Sequence, residues 1–102
     1  MKTEAENKEQ LLRLAKKCAG LLQEKYKARR IFIIGSLVKG ISHKRSDIDL
    51  VVEGLPAELY MKALTELYDI LLPGTELNLI PYEDAFDSVK EKAIKEGILL
   101  CA

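Results

Sequence analysis

The sequence predicts a small α/β (α+β) domain, a mixed β-sheet with helices packed against it. An amphipathic helical stripe opens the chain, a β-branched and aromatic run too short for a helix follows, and two further strand patterns are separated by a helical one. The order read this way is helix, strand, short helix, strand, helix, strand, helix. At 102 residues, 48% of them hydrophobic and 31% charged, the chain fits one domain over residues 1–102. A domain of that size buries roughly 65% of the surface its unfolded chain exposes, enough to fold without disulfides or a structural metal.

From Glu4 to about Lys27, Leu11, Leu14, Ala15, Cys18 and Leu22 recur at three- and four-residue steps, while Lys8, Glu9, Arg13, Lys16, Lys17, Gln23 and Glu24 form the solvated face. Arg30-Ile31-Phe32-Ile33-Ile34-Gly35 reads as a central strand covered on both faces. Ser36 can cap a short helix through Leu37, Val38 and Lys39, which Gly40 ends. After the polar loop Ile41–Ser46, Asp47-Ile48-Asp49-Leu50-Val51-Val52 forms a second strand whose opening alternates acid and apolar residues. Pro56 suits the first turn of a helix that runs through Leu59 or Tyr60, Ala63 or Leu64, Leu67 or Tyr68, and Leu71, until Pro73-Gly74 turns the chain. Tyr60 and Tyr68 read as packing residues. Thr75 to Ile80 alternates like a third strand closed by Pro81, and Tyr82, Phe86, Val89 and Ala93 give a last helical stripe ending at Gly97. The apolar tail, Ile98 to Ala102, reads as an edge strand or an extended segment on the core, with a partner contact as the alternative.

Sixteen basic residues balance sixteen acidic ones, which excludes binding of polyanions by bulk charge and moves attention to local clusters. The N-terminus is charged, and no apolar run approaches the roughly 20 residues of a membrane span, so a cytoplasmic protein is expected. Cys18 belongs to a helix stripe, Cys101 has no spacing partner, and His43 has no Cys or His at ligand spacing, so none of the three is read as a nucleophile or metal ligand.

Two short features carry the chemistry. Gly35-Ser36 ends a buried strand and starts a short helix, where free backbone N–H groups and the helix dipole favour an anion, so it is a candidate phosphate seat. Asp47 and Asp49 are separated by one residue on a strand, which sends both carboxylates to the same face roughly 7 Å apart. Oxygen donors so placed suit Mg2+, which keeps some of its ligands from water and substrate phosphate. If the two strands are neighbours, seat and acid pair share one edge of the sheet.

Gly35-Ser36-Leu37-Val38-Lys39-Gly40, six intervening residues, and then Asp47-Ile48-Asp49-Leu50 resemble the signature of the DNA polymerase β-like nucleotidyltransferase superfamily. The chain is most similar to its minimal nucleotidyltransferases, small proteins often paired with a helical HEPN partner. The resemblance covers the whole chain in element order, and its specific motif lies within residues 35–50. It implies the polymerase β-like fold, with Gly35 and Ser36 holding the β- and γ-phosphates of a nucleoside triphosphate and Asp47 and Asp49 holding Mg2+. Lys39, which stands where many members carry arginine, and Gly40 belong to the same nucleotide-binding motif. Lys44 and Arg45 could neutralise a triphosphate or touch an RNA acceptor, or simply be solvated. A third carboxylate on the following strand completes the family's metal site and helps activate the acceptor hydroxyl. Here Leu77 and Leu79 frame Asn78 instead of an aspartate, while Glu76 lies two residues earlier on the same face. Glu76 is therefore read as the third acid, with Asn78 orienting water or substrate. The other register puts Asn78 at the third position, where an amide is a poor base and a weaker ligand for Mg2+.

The leading expectation is thus an enzyme that moves a nucleoside monophosphate from a triphosphate, with ATP favoured, to a hydroxyl on protein or RNA. Because larger relatives carry further domains over their site, a partner protein or a second copy is expected to supply a missing wall. The resemblance implies a toxin–antitoxin pairing in which the chain modifies or masks a HEPN ribonuclease. The alternative is a non-catalytic, degenerate module of the same fold that only binds a partner.

Overall fold

The computed structural model describes residues 4–35, 46–71 and 73–101. Helix α1 (Glu4–Tyr26) is followed by strands β1 (Arg30–Ile34) and β2 (Ser46–Glu53), helix α2 (Tyr60–Ile70), strand β3 (Thr75–Pro81), helix α3 (Asp87–Lys95) and strand β4 (Ile98–Cys101). One mixed sheet has the order β3-β2-β1-β4. β1 runs antiparallel to both β2 and β4, whereas β2 and β3 are parallel. The short helix expected from Ser36 to Gly40, and the loop after it, lie outside the described residues.

Burial follows from the alternation of side chains along each strand. Ile31, Ile33, Ile48, Leu50, Val52, Leu77 and Leu79 bury one face of the sheet against α1 and α2. The whole α1 stripe, Leu11, Leu14, Ala15, Cys18 and Leu22, enters that core. Burial raises the Cys18 thiol to about 11, so it stays protonated at neutral pH. Phe32, Ile34 and Val51 occupy the opposite face, under Ala93 and Val89 of α3. β1 is thus central and covered on both faces, as its unbroken apolar run predicts. The tail forms an edge strand, with Ile98 and Leu99 partly exposed.

Polar contacts fix how these layers meet. Lys25 Nζ and the Tyr26 hydroxyl, at the end of α1, donate to Glu66 of α2 at 2.8 Å, and both lower the Glu66 carboxyl's pKa. Arg30 clamps its cross-strand partner Glu53 through Nε at 2.7 Å and a terminal nitrogen at 3.0 Å. Its guanidinium also lies over the rings of Phe32 and Tyr82. Tyr60 and Tyr68 are packing residues with a further task. Their hydroxyls donate to the carbonyls of Leu79 at 2.6 Å and Leu77 at 3.2 Å, and Tyr68 also accepts from the Leu77 N–H. Backbone groups on the outer edge of β3 are thereby satisfied by α2.

Two boundaries differ from expectation. A 3-10 turn, Ala57–Leu59, stands between Pro56 and α2. Tyr82 and Phe86 do not continue the α3 stripe. Tyr82 starts a separate 3-10 turn, Ala85 and Phe86 are extended, and Phe86 is 83% exposed. Their spacing imitates a helix, but the chain uses them to pass from the sheet edge to α3.

Gly97 joins α3 to β4 where backbone meets backbone. Its N–H donates to the Lys92 and Ala93 carbonyls, and a Cβ there would stand 2.5 Å from the Ala93 oxygen and 3.1 Å from that of Ile33. Neither oxygen can swing aside as a side-chain tip would. Gly97→Ala is therefore expected to cost roughly 1–3 kcal/mol, as overpacking does, read as a lower urea midpoint at unchanged m-value.

Candidate active site

Asp49 sits in the middle of β2, between Ile34 at the end of β1 and Asn78 on β3. Its place on the α3 side of the sheet follows from alternation with Ile48 and Leu50, which enter the other core. Nearer β4 this side is filled by Phe32, Ile34, Val51 and α3. Toward β3 it is open: Asp49 is half-buried, and Glu76 and Asn78 are exposed. The alternation of Thr75, Leu77 and Leu79, all buried, holds Glu76 and Asn78 outward.

The parallel register settles how the acids are matched between strands. Asp47 is paired with Glu76, and Asp49 with Asn78. Asn78 Nδ2 donates to Asp49 Oδ1 at 2.7 Å. The other carboxylate oxygen, Oδ2, lies on the β1 side, 2.5 Å from where a Cβ on Gly35 would stand. Gly35 has φ +91°, a left-handed conformation that suits glycine, and the missing side chain lets the turn after β1 approach the carboxylate. The structure thus brings Gly35, Asp49, Glu76 and Asn78 to one edge, together with the backbone of Asp47. The Asp47 side chain, Ser36, Lys39, Gly40, Lys44 and Arg45 lie outside the described residues.

Asp49 and Glu76 offer hard oxygen donors of the kind Mg2+ takes, and the missing Cβ of Gly35 lets Oδ2 come close to the turn after β1, so the chemistry of these donors fits a divalent cation. Among the described residues no cluster of three His, Cys, Asp or Glu side chains is assembled, so Asp47 would have to complete the set. Sequence reasoning missed the bond from Asn78 to Asp49. It joins residues 29 apart and follows from the register of a parallel pair, which no local pattern reveals. A separate cavity of about 550 Å³, lined by Gly54, Leu55, Pro56, Tyr60, Pro81 and Glu83 among others, opens beyond the far ends of β2 and β3. It holds none of the candidate residues. Among the described residues, no helix is long and apolar enough to cross a membrane.

Comparison with known proteins identifies the family. The family model described as Polymerase beta, Nucleotidyltransferase matches residues 16–102. A protein of Methanocaldococcus jannaschii, provisionally named protein adenylyltransferase MJ0128, is 36% identical over 101 residues, spanning 97% of this chain and 98% of its own. Among solved structures, one described, also provisionally, as a minimal nucleotidyltransferase superposes with a TM-score of 0.68 at 22% identity, covering 87% of this chain and 92% of that one. A toxin–antitoxin structure with AMP-PNP superposes with a TM-score of 0.67 at 21% identity, covering 83% and 71%. At such identities the superpositions speak for the fold, while the family match rests on sequence across most of the chain. The chain belongs to the polymerase beta nucleotidyltransferase family and is a nucleotidyltransferase.

Proposed function

We propose that the chain transfers AMP from ATP to a hydroxyl group on a partner protein, with Mg2+ held by Asp47, Asp49 and Glu76. The observation that carries this reading is the seating of the Asp49 carboxylate between the Gly35 turn and Asn78, with Glu76 two register pairs away opposite Asp47. The name of the M. jannaschii relative favours a protein acceptor, and the AMP-PNP in the toxin–antitoxin structure favours ATP. That structure also supports a toxin as partner, here a helical HEPN-type protein. One compact domain over residues 1–102, working in the cytoplasm, completes the reading.

Gly35 and Ser36, with Lys39 and Gly40, would receive the β- and γ-phosphates through backbone N–H groups, a hydroxyl and a cation. Mg2+, when bound, would neutralise triphosphate charge and acidify the attacking hydroxyl. The acceptor oxygen bonds to the α-phosphorus, the bond from that phosphorus to the oxygen bridging to the β-phosphorus breaks, and pyrophosphate leaves. Glu76, exposed and on the open face, would take the hydroxyl proton.

Incubation of the chain with α-labelled ATP, Mg2+ and a co-expressed helical partner tests the proposal, with AMP-modified protein as the expected product. Labelled RNA with unlabelled protein would replace the protein acceptor by a nucleic acid. A partner that is bound and masked without label, at every Mg2+ concentration, would favour the non-catalytic module. Glu76→Gln should lower transfer by about 100-fold, a typical loss for a proton acceptor. Undiminished transfer in that variant would remove Glu76 from the mechanism.

A further inference from the structure

We infer that Asn78 is a positioning residue for Asp49, a hydrogen-bond donor required at this place and not the remnant of a third acid. The inference rests on the metal-dependent reading above. Asn78 donates from Nδ2 to Asp49 Oδ1 at 2.7 Å, which makes the two carboxylate oxygens unlike. Oδ1 is engaged toward β3, and Oδ2 is directed to the Gly35 turn. An aspartate side chain standing on an open face can rotate between staggered positions. The amide selects the one that sends Oδ2 toward β1, where the nucleotide phosphates would lie. The donor is itself well placed: Asn78 is held in register by the β2–β3 ladder, and buried Leu77 and Leu79 on either side keep its side chain on the open face.

An aspartate at position 78 would have the same shape and no donor. Two carboxylates in the Asn78–Asp49 geometry would repel, and Asp49 would leave its seat before any cation arrived. The acid that this strand supplies is displaced by two register pairs, to Glu76 opposite Asp47. Charge and orientation are thus divided between two residues of β3.

Binding of a fluorescent ATP analogue, titrated with Mg2+, distinguishes donor from lost acid, with transfer kinetics as the second readout. Asn78→Ala and Asn78→Asp should each raise the Mg2+ concentration for half-maximal binding by about 10- to 100-fold, the usual effect of removing a group that orients a metal ligand. At saturating Mg2+ kcat should recover to within a few-fold of the wild type, which damage to the fold would not permit. Because position 78 is exposed, both variants should melt with the wild type. An unchanged Mg2+ requirement in Asn78→Ala would overturn the inference, as would tighter Mg2+ binding in Asn78→Asp than in the wild type. Wild-type protein that ignores Mg2+ altogether would overturn the metal-dependent reading and this inference with it.

Discussion

Asp49→Asn is expected to lower nucleotidyl transfer by on the order of 1,000-fold or more, with the melting temperature unchanged or slightly raised. The kinetic effect follows from position. Asp49 lies at the crossing of three elements, with β1 on one side, β3 on the other and the Gly35 turn against its Oδ2. An asparagine can still accept the bond from Asn78, so the local geometry survives. What disappears is the anionic oxygen facing the Gly35 turn, the proposed phosphate seat, and cation-assisted stabilisation of the transition state is worth several kcal/mol. The opposite sign for stability has the same cause. Glu76 is the nearest described carboxylate on the neighbouring strand, and removing the Asp49 charge relieves its repulsion with Glu76 when no cation is bound. Single-turnover transfer with labelled ATP, paired with thermal melts followed by circular dichroism, measures both. Asp47→Asn combined with Asp49→Asn should be little worse than Asp49→Asn alone, since groups that act as one unit lose their function together. Retention of a tenth of wild-type transfer by Asp49→Asn would remove Asp49 from the reacting centre.

The residues of this site differ in how visible they are before folding. Gly35 and Asp49 are legible because strand alternation and glycine chemistry are local rules, and both are placed in the fold as those rules say. β1 is legible for the same reason: four apolar residues in a row, Ile31 to Ile34, can be satisfied only between two layers. Asn78 is legible as a polar residue on an outward face but not as the partner of Asp49. That relation depends on which residues of β2 and β3 face each other across a crossover containing α2, a tertiary outcome. The choice of Glu76 as the acid on β3 named the residue matched with Asp47, whereas Asn78 proves to be matched with Asp49. Tyr82 and Phe86 show the opposite failure. Their spacing from Val89 and Ala93 satisfies helical periodicity, yet Ala85 and Phe86 take extended angles and the helix begins only at Asp87. Periodicity reports which residues could share a face and not whether one helix carries them: Tyr82 packs in the same cluster as Val89 and Ala93 from a turn of its own.

Gly35→Ala should separate stability from function, because the two costs of a methyl group at this position fall on different quantities. The first is conformational. At φ +91° an alanine is strained by roughly 1–2 kcal/mol, which for a domain of this size lowers Tm by roughly 5–15 °C. The second is a contact: the new Cβ would stand 2.5 Å from Asp49 Oδ2. That oxygen is the tip of a side chain that can rotate away, so the collision adds little to the stability loss. Rotation nevertheless breaks the bond from Asn78 and turns Oδ2 from the proposed phosphate seat. A misplacement of about 1 Å at a reacting centre costs on the order of 100-fold in rate. Gly74 supplies the control, since it has φ +87° and nothing within 4 Å of a Cβ placed there. Gly74→Ala should therefore melt as early as Gly35→Ala yet transfer AMP at the wild-type rate. If the two variants prove equally active below their melting temperatures, the close approach of the Gly35 turn to Asp49 has no part in the reaction. A loss confined to Gly35→Ala, and restored in part by high Mg2+, places the turn and the carboxylate in one working unit.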